Sequence, residues 1–439
     1  MTTIRTFVPA TVPPVDAGGR AGPVPYGALR TSEERKPMSR PVSELPGLPV
    51  TRPAGCPFDP PQELAKLREE EPVVRMVFPD GHTGWLVTSH ELVRAVLEDN
   101  RFSARFELIH SPLPGAGTKG MLPPAPPGMF GGMDLPQSAR YRSLLKPRFS
   151  SRQMMRLSGR IQEIADEYLD AMEEHGPPVD LVEAYALPIP ALVICELLGV
   201  PYSDRESFQS NAIGVNNNDL PTEEQWACLV AIQEYLTELV VAKRTKPGDD
   251  LMSELTATDL TDEEIANIAA LMLGAGFETT ANMIALGTWV LLRNPGQLAA
   301  FRSDPDLIDP AVEELLRYLT ITHTGARAAL EDVELGGQLI KAGESIALSN
   351  QAANRDPKKF PDPDILDLQR QAAGHVAFGR GVHLCMGKDL ARVEMRVALP
   401  ALFNRFPTLR MDIAPEDVPL RFNSDVFGVD RLPVAWDRT

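Results

Sequence analysis

Cys385 lies in HVAFGRGVHLCMGKDLARVEMRVAL, residues 375–399. Three glycines, Gly379, Gly381 and Gly387, surround it, and His383 stands two places before it. Glycine permits tight turns and lets backbone approach a ligand closely. Loop amides and the start of a following helix favour an anionic thiolate. The other three cysteines, Cys56, Cys195 and Cys228, are scattered and no CxxC occurs. That spacing argues against a disulfide framework, a zinc cage and a multi-cysteine cluster. A single thiolate ligand to a haem iron survives. Cys195 and Cys228, in the apolar stretches ALVICELLG and QWACLVAI, read as core residues.

A second constellation is Gly274-Ala275-Gly276-Phe277-Glu278-Thr279-Thr280. Two glycines inside a helix cost about 1 kcal/mol each against alanine. Small residues there let something flat approach the backbone. A threonine hydroxyl can bond back into the helical ladder, and an acid beside an alcohol can relay protons. The plainer alternative is a glycine-rich helix contact with a solvated glutamate. Glu314 and Arg317 in EELLR share one helix face, as an ordinary ion pair would. Arg327 falls in an expected loop. From Arg140 to Arg160 every charged residue is basic, including Arg142, Lys146 and Arg148. Either this is a solvated basic face or it docks an acidic partner.

These residues need positioning elements. PPQELAKLREEEPV reads as a short helix, and VVRMVFP-DGH-TGWLVTS as a β-hairpin. SHELVRAVLEDNRFS reads as a helix that Ser89 caps. Residues 110–132 hold too many Pro and Gly for regular structure. Helical patterns cover 137–148, 151–175, 182–199, 222–245 and 261–293, with SNAIGVNNNDLPTEEQ as an irregular interruption. DPAVEELLRYL is helical, VELGGQLIKAGESIAL is a small hairpin, and a helix follows the cysteine to about 403. Thr261 and Glu264 form a capping box, and Asn294-Pro295-Gly296 a stop. The roughly 33 residues between would span roughly 50 Å at the helical rise. Glu278 and two asparagines interrupt the apolar runs of this segment, which favours a buried central helix over a membrane span.

The chain has 439 residues, 60 acidic against 43 basic, for a net charge of −17. That balance argues against general nucleic-acid binding. The start has no charged segment followed by an apolar run, so no secretory signal is read. Its Pro/Gly content reads as a disordered tail over residues 1–45, with one domain over 46–439.

Together these stretches resemble the cytochrome P450 family of haem-thiolate monooxygenases, over nearly all the chain after about residue 45. Phe378-Gly-Arg-Gly-Val-His-Leu-Cys-Met-Gly387 matches the family's cysteine loop, AGFETT its oxygen-activation motif, and EELLR its Glu-x-x-Arg. The resemblance implies a mostly α fold with small β-sheets and a long central helix over haem b. It implies Cys385 as the axial iron ligand, Phe378 as a shield of the sulfur, and Gly379 and Gly387 beside the cofactor. Ala275 and Gly276 would lie over the distal haem face, with Glu278 and Thr279 delivering protons. Arg142, Arg327 and His383 match propionate-binding positions. Glu314, Arg317 and Arg370 match a buried ion network. MDLPQSARYR departs from the family pattern, because Ser138 replaces a histidine.

RFSAR, ANRDP and LARVEMRVAL resemble the bacterial, actinomycete type that tailors secondary metabolites. Only residues 386–439 follow the cysteine, too few for a flavin domain. Electrons are therefore expected from NAD(P)H through a ferredoxin and its reductase, docking near Arg140, Lys146, Arg148, Lys388 and Arg392. The expected protein is a cytoplasmic monomer that hydroxylates or epoxidises a medium-to-large apolar molecule, such as a macrolide or polyketide. Substrate contacts are expected from 106–132, 208–222, Leu271–Gly274, Thr320–Thr324 and Asn423–Phe427. The rivals are a haem-thiolate enzyme that uses peroxide or rearranges its substrate, and a haem-binding sensor or carrier without turnover. Arg380 has no assigned role.

Overall fold

Apolar residues recurring every three or four positions make about half of the described residues helical. The computed structural model describes residues 45–438 except 54–55, 114–121, 217–219, 422–423 and 425. The tail expected over 1–45 lies outside them but for Leu45. Residues Val42–Thr439 form one compact unit.

The helices begin with α1 (Gln62–Glu70), α2 (His90–Glu98), α3 (Gln137–Leu145), α4 (Ser151–Arg156) and α5 (Ser158–His175). They continue with α6 (Pro188–Leu198), α7 (Arg205–Asn216), α8 (Thr222–Thr245), α9 (Leu251–Thr256) and α10 (Asp262–Leu292). The last are α11 (Pro295–Ser303), α12 (Ile308–Leu319), α13 (Asn350–Asn354) and α14 (Lys388–Arg405). The strands β1 (Val73–Val77), β2 (Thr83–Val87), β3 (Phe102–Ser103), β5 (Thr324–Ala329) and β8 (Ser345–Ser349) form one sheet in the order β1-β2-β8-β5-β3. Within it β2 runs parallel to β8, and the other pairings are antiparallel. The small sheets pair β6 (Val333–Leu335) with β7 (Gln338–Ile340) and β10 (Leu420–Arg421) with β11 (Gly428–Val429). A third holds β4 (Val179–Asp180), β12 (Pro433–Ala435) and β9 (Arg410–Met411).

Several elements depart from the sequence expectations. The stretch expected over 151–175 is two helices, broken at Leu157. Residues 182–186 take a wider π-type turn before Pro188 opens α6. SNAIGVN is helical in α7, since packing against α8 outweighs its weak local propensity. Arg327 stands on β5 rather than in a loop. GARAA lacks the β-branched residues that mark strands, and its pairing with β8 decides its conformation.

α10 is the axis of the fold. Thr261 caps it, with both halves of the capping box made, and α6, α8 and α14 pack around it. Trp289 is fully buried, edge-on to Phe58 with ring centroids 4.8 Å apart. Each such side chain contributes about 1.5–3 kcal/mol by burial. The helix is long and apolar enough to cross a membrane, but 61% of its most apolar window is buried inside the protein.

α14 carries Glu394 into this core, 2% exposed. Burial raises its carboxyl to about 8, against a hydrogen bond from Thr280 that favours the anion. The folded protein therefore holds a proton that the unfolded chain releases above its ordinary carboxylate pKa of about 4.5. This contribution to stability is fully present below that value and is lost as pH rises through about 8. Glu394→Gln should flatten the loss and gain on the order of 4 kcal/mol relative to wild type above pH 8. Urea denaturation of the haem-loaded protein across this range checks it, and parallel pH profiles for the two proteins would refute it.

Candidate active site

The cysteine loop closes on itself. The Cys385 amide donates to the Phe378 carbonyl at 2.9 Å, and the Gly379 amide to the Val376 carbonyl at 2.9 Å. Gly379 and Gly381 both have φ of +67°, in the left-handed region. A Cβ on Gly381 would lie 2.4 Å from the Leu97 carbonyl oxygen, so only glycine lets the loop sit this close to α2. Arg380 pairs at 3.5 Å with Glu98 of the same helix, which gives it a partner at the loop's rim. The guanidinium of Arg392 lies over the Phe378 ring, 4.7 Å from its centroid.

The Cys385 side chain is accessible although protein closes around the loop, so it faces an internal space. Burial pushes its thiol up; the Gly387 amide and the charges of Arg142, Arg392 and Lys388 only partly oppose this. Of the loop amides, that of Gly387 favours a thiolate, but burial outweighs it. A bound metal cation would reverse the balance.

Three basic side chains gather beside the loop. Arg142 on α3 donates to the Leu384 carbonyl. Arg327 donates to its neighbour's carbonyl, Ala326, at 2.7 Å, and His383 makes no hydrogen bond among the described residues. Arg327 and His383 line a cavity of about 780 Å³ together with Asp134. Burial, then Arg327 and Arg142, push the His383 imidazole down to about 4. Burial also lowers both arginines. Asp134 is the nearby acid, but Ser103 and the Ala104 amide already bind it, at 2.5 and 2.9 Å. Ser138, one turn before Arg142, is fully buried with its hydroxyl unpartnered. Positive groups held together without an anion, and a leftover polar atom, fit a ligand that brings carboxylates.

The middle of α10 is bare. Gly274 and Ala275 are exposed between the buried Leu273 and Phe277, and a Cβ on Gly274, Gly379 or Gly387 would meet nothing within 4 Å. Gly276 differs: its Cβ position points at Ile194 of α6, 3.4 Å away. It serves the helix contact that was the plainer reading of this motif, rather than the open face. The Thr279 hydroxyl donates to the Ala275 carbonyl at 2.8 Å. Glu278 instead pairs with Arg421 at 2.5 Å. The acid and the alcohol are not bonded to each other.

Glu314 and Arg317 are wholly buried and doubly bonded, at 2.7 and 2.8 Å. Arg317 also donates to the Asn354 and Pro363 carbonyls, at 2.8 and 2.9 Å. Arg370 reaches Glu314 at 3.2 Å. Sequence reasoning missed the next link: the Asn354 side chain accepts from the Val376 amide at 2.8 Å, just before the cysteine loop. It also missed Glu313, which joins His375 at 3.2 Å to Arg392 at 2.5 Å. Burial would raise the Glu313 carboxyl, but Arg392 and His375 hold it near 2. No periodicity marks a side chain whose partner lies in another element.

The expected docking cations are largely occupied. Arg140 binds Glu264 at 2.7 Å and Asp259 at 3.3 Å, toward the start of α10. Arg148 binds Asp249 and Glu254, Lys388 binds Asp389, and Arg392 binds Glu313. Lys146 and Arg152 are exposed with no acid partner among the described residues, and Arg156 is exposed and bonded to Gln153. Of the expected substrate contacts, Thr320, His323 and Thr324 are buried in internal bonds, and only Thr322 of that stretch is exposed. Phe427 is buried under Arg52. Residues 114–121, 217–219, 423 and 425 of the expected segments lie outside the described residues.

A helical domain with a closed single-cysteine loop and a bare patch on its central helix has the layout of a haem-thiolate oxidoreductase. Residues 227–429 match the family model described as Cytochrome P450. Cytochrome P450 105C1 of a Streptomyces species is 49% identical over 382 residues, 86% of this chain and 96% of that protein. Pentalenic acid synthase of Streptomyces avermitilis is 41% identical over 407 residues, 89% of this chain and 99% of that protein. The solved structure of CYP105P1 in complex with filipin I superposes with a TM-score of 0.82 at 40% identity, covering 90% of this chain and 100% of that one. The chain belongs to the cytochrome P450 family. Within it, these Streptomyces relatives mark the bacterial, actinomycete type, with haem b as cofactor and NAD(P)H electrons supplied through redox partners.

If the basic side chains hold the cofactor's carboxylates, Arg327→Met should speed haem loss about tenfold, since a charge-assisted bond contributes roughly 1.5–3 kcal/mol. Haem transfer to apomyoglobin measures this. An unchanged rate would remove Arg327 from that set.

Proposed function

We propose that this protein is a haem-dependent monooxygenase that inserts one oxygen atom into a C–H or C=C bond of a medium-to-large apolar secondary metabolite. Its electrons come from a ferredoxin. The observation that carries this reading is the bare Gly274–Ala275 face of α10, with an acid and an alcohol about one turn further on. The haem supplies oxygen activation when bound through a thiolate. For hydroxylation the balance is substrate, O2, two electrons and two protons in, hydroxylated product and one water out.

The protein's own residues divide the remaining work. Cys385 would hold the haem iron through its thiolate, and Phe378, held under Arg392, would shield the sulfur. Arg142, Arg327 and His383 would hold the haem carboxylates. Gly379, Gly387 and Ala275 leave room for the ring. Glu278 and Thr279 would bring protons from solvent to the open face of α10, which requires the Glu278 carboxyl to leave Arg421 and approach Thr279. The buried Glu314–Arg317–Arg370 network braces the loop through Asn354. Two similarities support the substrate class: one relative is named a pentalenic acid synthase, and one similar structure holds filipin I. Substrate contacts then come from the bare face near Leu271–Gly274, from Thr322, and from the loop around 106–113.

The ferredoxin site shifts from the expectation. Arg152 and Arg156 share one face of α4, with the exposed Met155 between them, and Lys146 precedes that helix. α4 packs on α14, and Ser151 donates to Asp389, four residues after Cys385. Unpaired cations here attract an acidic partner more strongly than the paired Arg140 and Arg148 can.

Cys385→Ser should abolish the thiolate-type band of the reduced, CO-bound protein; its survival would overturn the ligand assignment. The spin-state shift of the haem band, screened over macrolide, polyketide, terpene and peptide ligands, tests the substrate class. A protein with Lys146, Arg152 and Arg156 all changed to Glu should accept electrons from a plant-type ferredoxin about tenfold more slowly, with steeper recovery at low salt lost. Its peroxide-driven turnover should be unchanged. Equal loss of both activities would sink the docking surface.

A further inference from the structure

Glu313 lies on α12 one residue before the buried Glu314, and it holds a different set of partners. Its two oxygens grip the Arg392 guanidinium, Oε1 at 2.5 Å from Nε and Oε2 at 2.9 Å from Nη2. Oε2 also meets the His375 ring at Nε2, 3.2 Å away. The other ring nitrogen of His375 accepts from the Ala377 amide at 3.2 Å, so the proton sits on Nε2 and the ring donates to Glu313. Phe378 comes next in the chain, and its carbonyl takes the Cys385 amide. The Phe378 ring lies under Arg392, and its centroid is 6.0 Å from that of the His375 ring. One carboxylate thus reaches the cysteine loop twice, through the backbone by His375 and through the aromatic ring by Arg392. The side chains of Glu313, Arg392 and His375 are 25%, 19% and 4% exposed, so charges here are screened far less than surface charges are. Asp389 touches the same guanidinium at 3.7 Å, but it is shared with Lys388 at 2.7 Å. Glu313 is therefore the main counter-ion of Arg392 among the described residues.

We propose that Glu313 is a positioning residue for the thiolate: it holds Arg392 over Phe378 and offsets that cation's charge, and so keeps the reduction potential of the bound haem low. The proposal rests on the reading that Cys385 holds the iron. Burial opposes the Cys385 anion, and Arg392 is among the cations that favour it. Reduction takes one electron, supplied by the ferredoxin, and turns ferric iron to ferrous. The site gains one negative charge with no bond made or broken. An unopposed guanidinium beside the loop would stabilise the added electron, and a paired one does so far less. The same unopposed field would draw electron density toward the sulfur and away from the iron, and a weaker thiolate donor favours O–O cleavage less. Glu313 thus keeps the sulfur a strong donor while making the first reduction harder.

The alternative is an ion pair that only packs α12 on α14, and the sign of the effect separates the two. Glu313→Gln, Arg392→Gln, the Glu313→Gln/Arg392→Gln double variant and Glu313→Asp are compared with wild type as haem-loaded proteins. The measurement is a redox titration of the Soret band under argon with mediator dyes. Glu313→Gln should favour the ferrous form about tenfold, an upward shift of about 59 mV for a one-electron couple. Arg392→Gln should shift the potential downward, because the lone anion then opposes the added electron. The double variant should return to near the wild-type value, and Glu313→Asp, which keeps the charge, should hold it. A packing role predicts no such pattern: the potential would stay put in both single variants or move the same way in both. Either result, with the thiolate band of the CO-bound protein retained, overturns the role of Glu313 and leaves the Cys385 reading intact. If Glu313→Gln fails to fold or loses that band, the other two single variants decide. An unchanged or raised potential in Arg392→Gln, or a raised one in Glu313→Asp, then overturns the role. A wild-type protein with no thiolate band would overturn the Cys385 reading and this proposal together.

Discussion

An ion pair with no exposure at all, Glu314 with Arg317, sits where the fold can least tolerate an unsatisfied charge. Taking two ions out of water costs several kcal/mol each, and their attraction compensates only if the remaining donors and acceptors are also filled. Arg317 fills its donors with the Asn354 and Pro363 carbonyls; Glu314 takes the Asp367 amide and Arg370. Those partners belong to 354–370, a stretch with almost no regular structure of its own. The pair therefore gives that stretch its path. Asn354 then hands the constraint to the Val376 amide, and the loop from there closes through the Phe378 carbonyl onto Cys385. The position of one sulfur follows from a charge pair in another element.

The same tension between charge and burial runs through the cofactor end. Arg142, Arg327 and His383 are held near one another, all lowered by burial and His383 also by the two arginines, while Asp134 is bonded to Ser103. The thiol of Cys385 is raised by burial in spite of amides and cations that favour its anion. Each group is unfavourable alone. A ligand that combines a metal cation with carboxylates relieves both ends at once, which makes cofactor binding and site stability one equilibrium.

α10 shows how one helix serves as core and as catalytic wall. Its apolar residues bury against α6, α8 and α14, yet Gly274 and Ala275 leave a gap in that packing. Gly276 closes the helix onto Ile194 beside the gap. Two glycines two residues apart thus do opposite jobs, which follows from the helical rotation between them. On the far side Asn282 fits the C-terminal strands against the same turn.

Much of the local chemistry was legible in the residues. The glycines around Cys385 announced a tight loop, and Thr261 with Glu264 announced the start of α10, because these signals act within a few residues. Glu314 and Arg317, three apart on a helix, could be placed on one face. Other assignments depended on folding. Arg327 became a strand residue through β8, SNAIGVN became helix through α8, and Arg140 turned from an expected partner contact into a ligand of Glu264, 124 residues away. Glu278 found Arg421 at a separation of 143 residues, not its neighbour Thr279. Sequence by itself determined which groups could do chemistry and which short segments would curl or cap around them. Only tertiary structure decided which charge meets which, because a long-range ion pair depends on desolvation and distance in three dimensions, and neither quantity has a period along the chain.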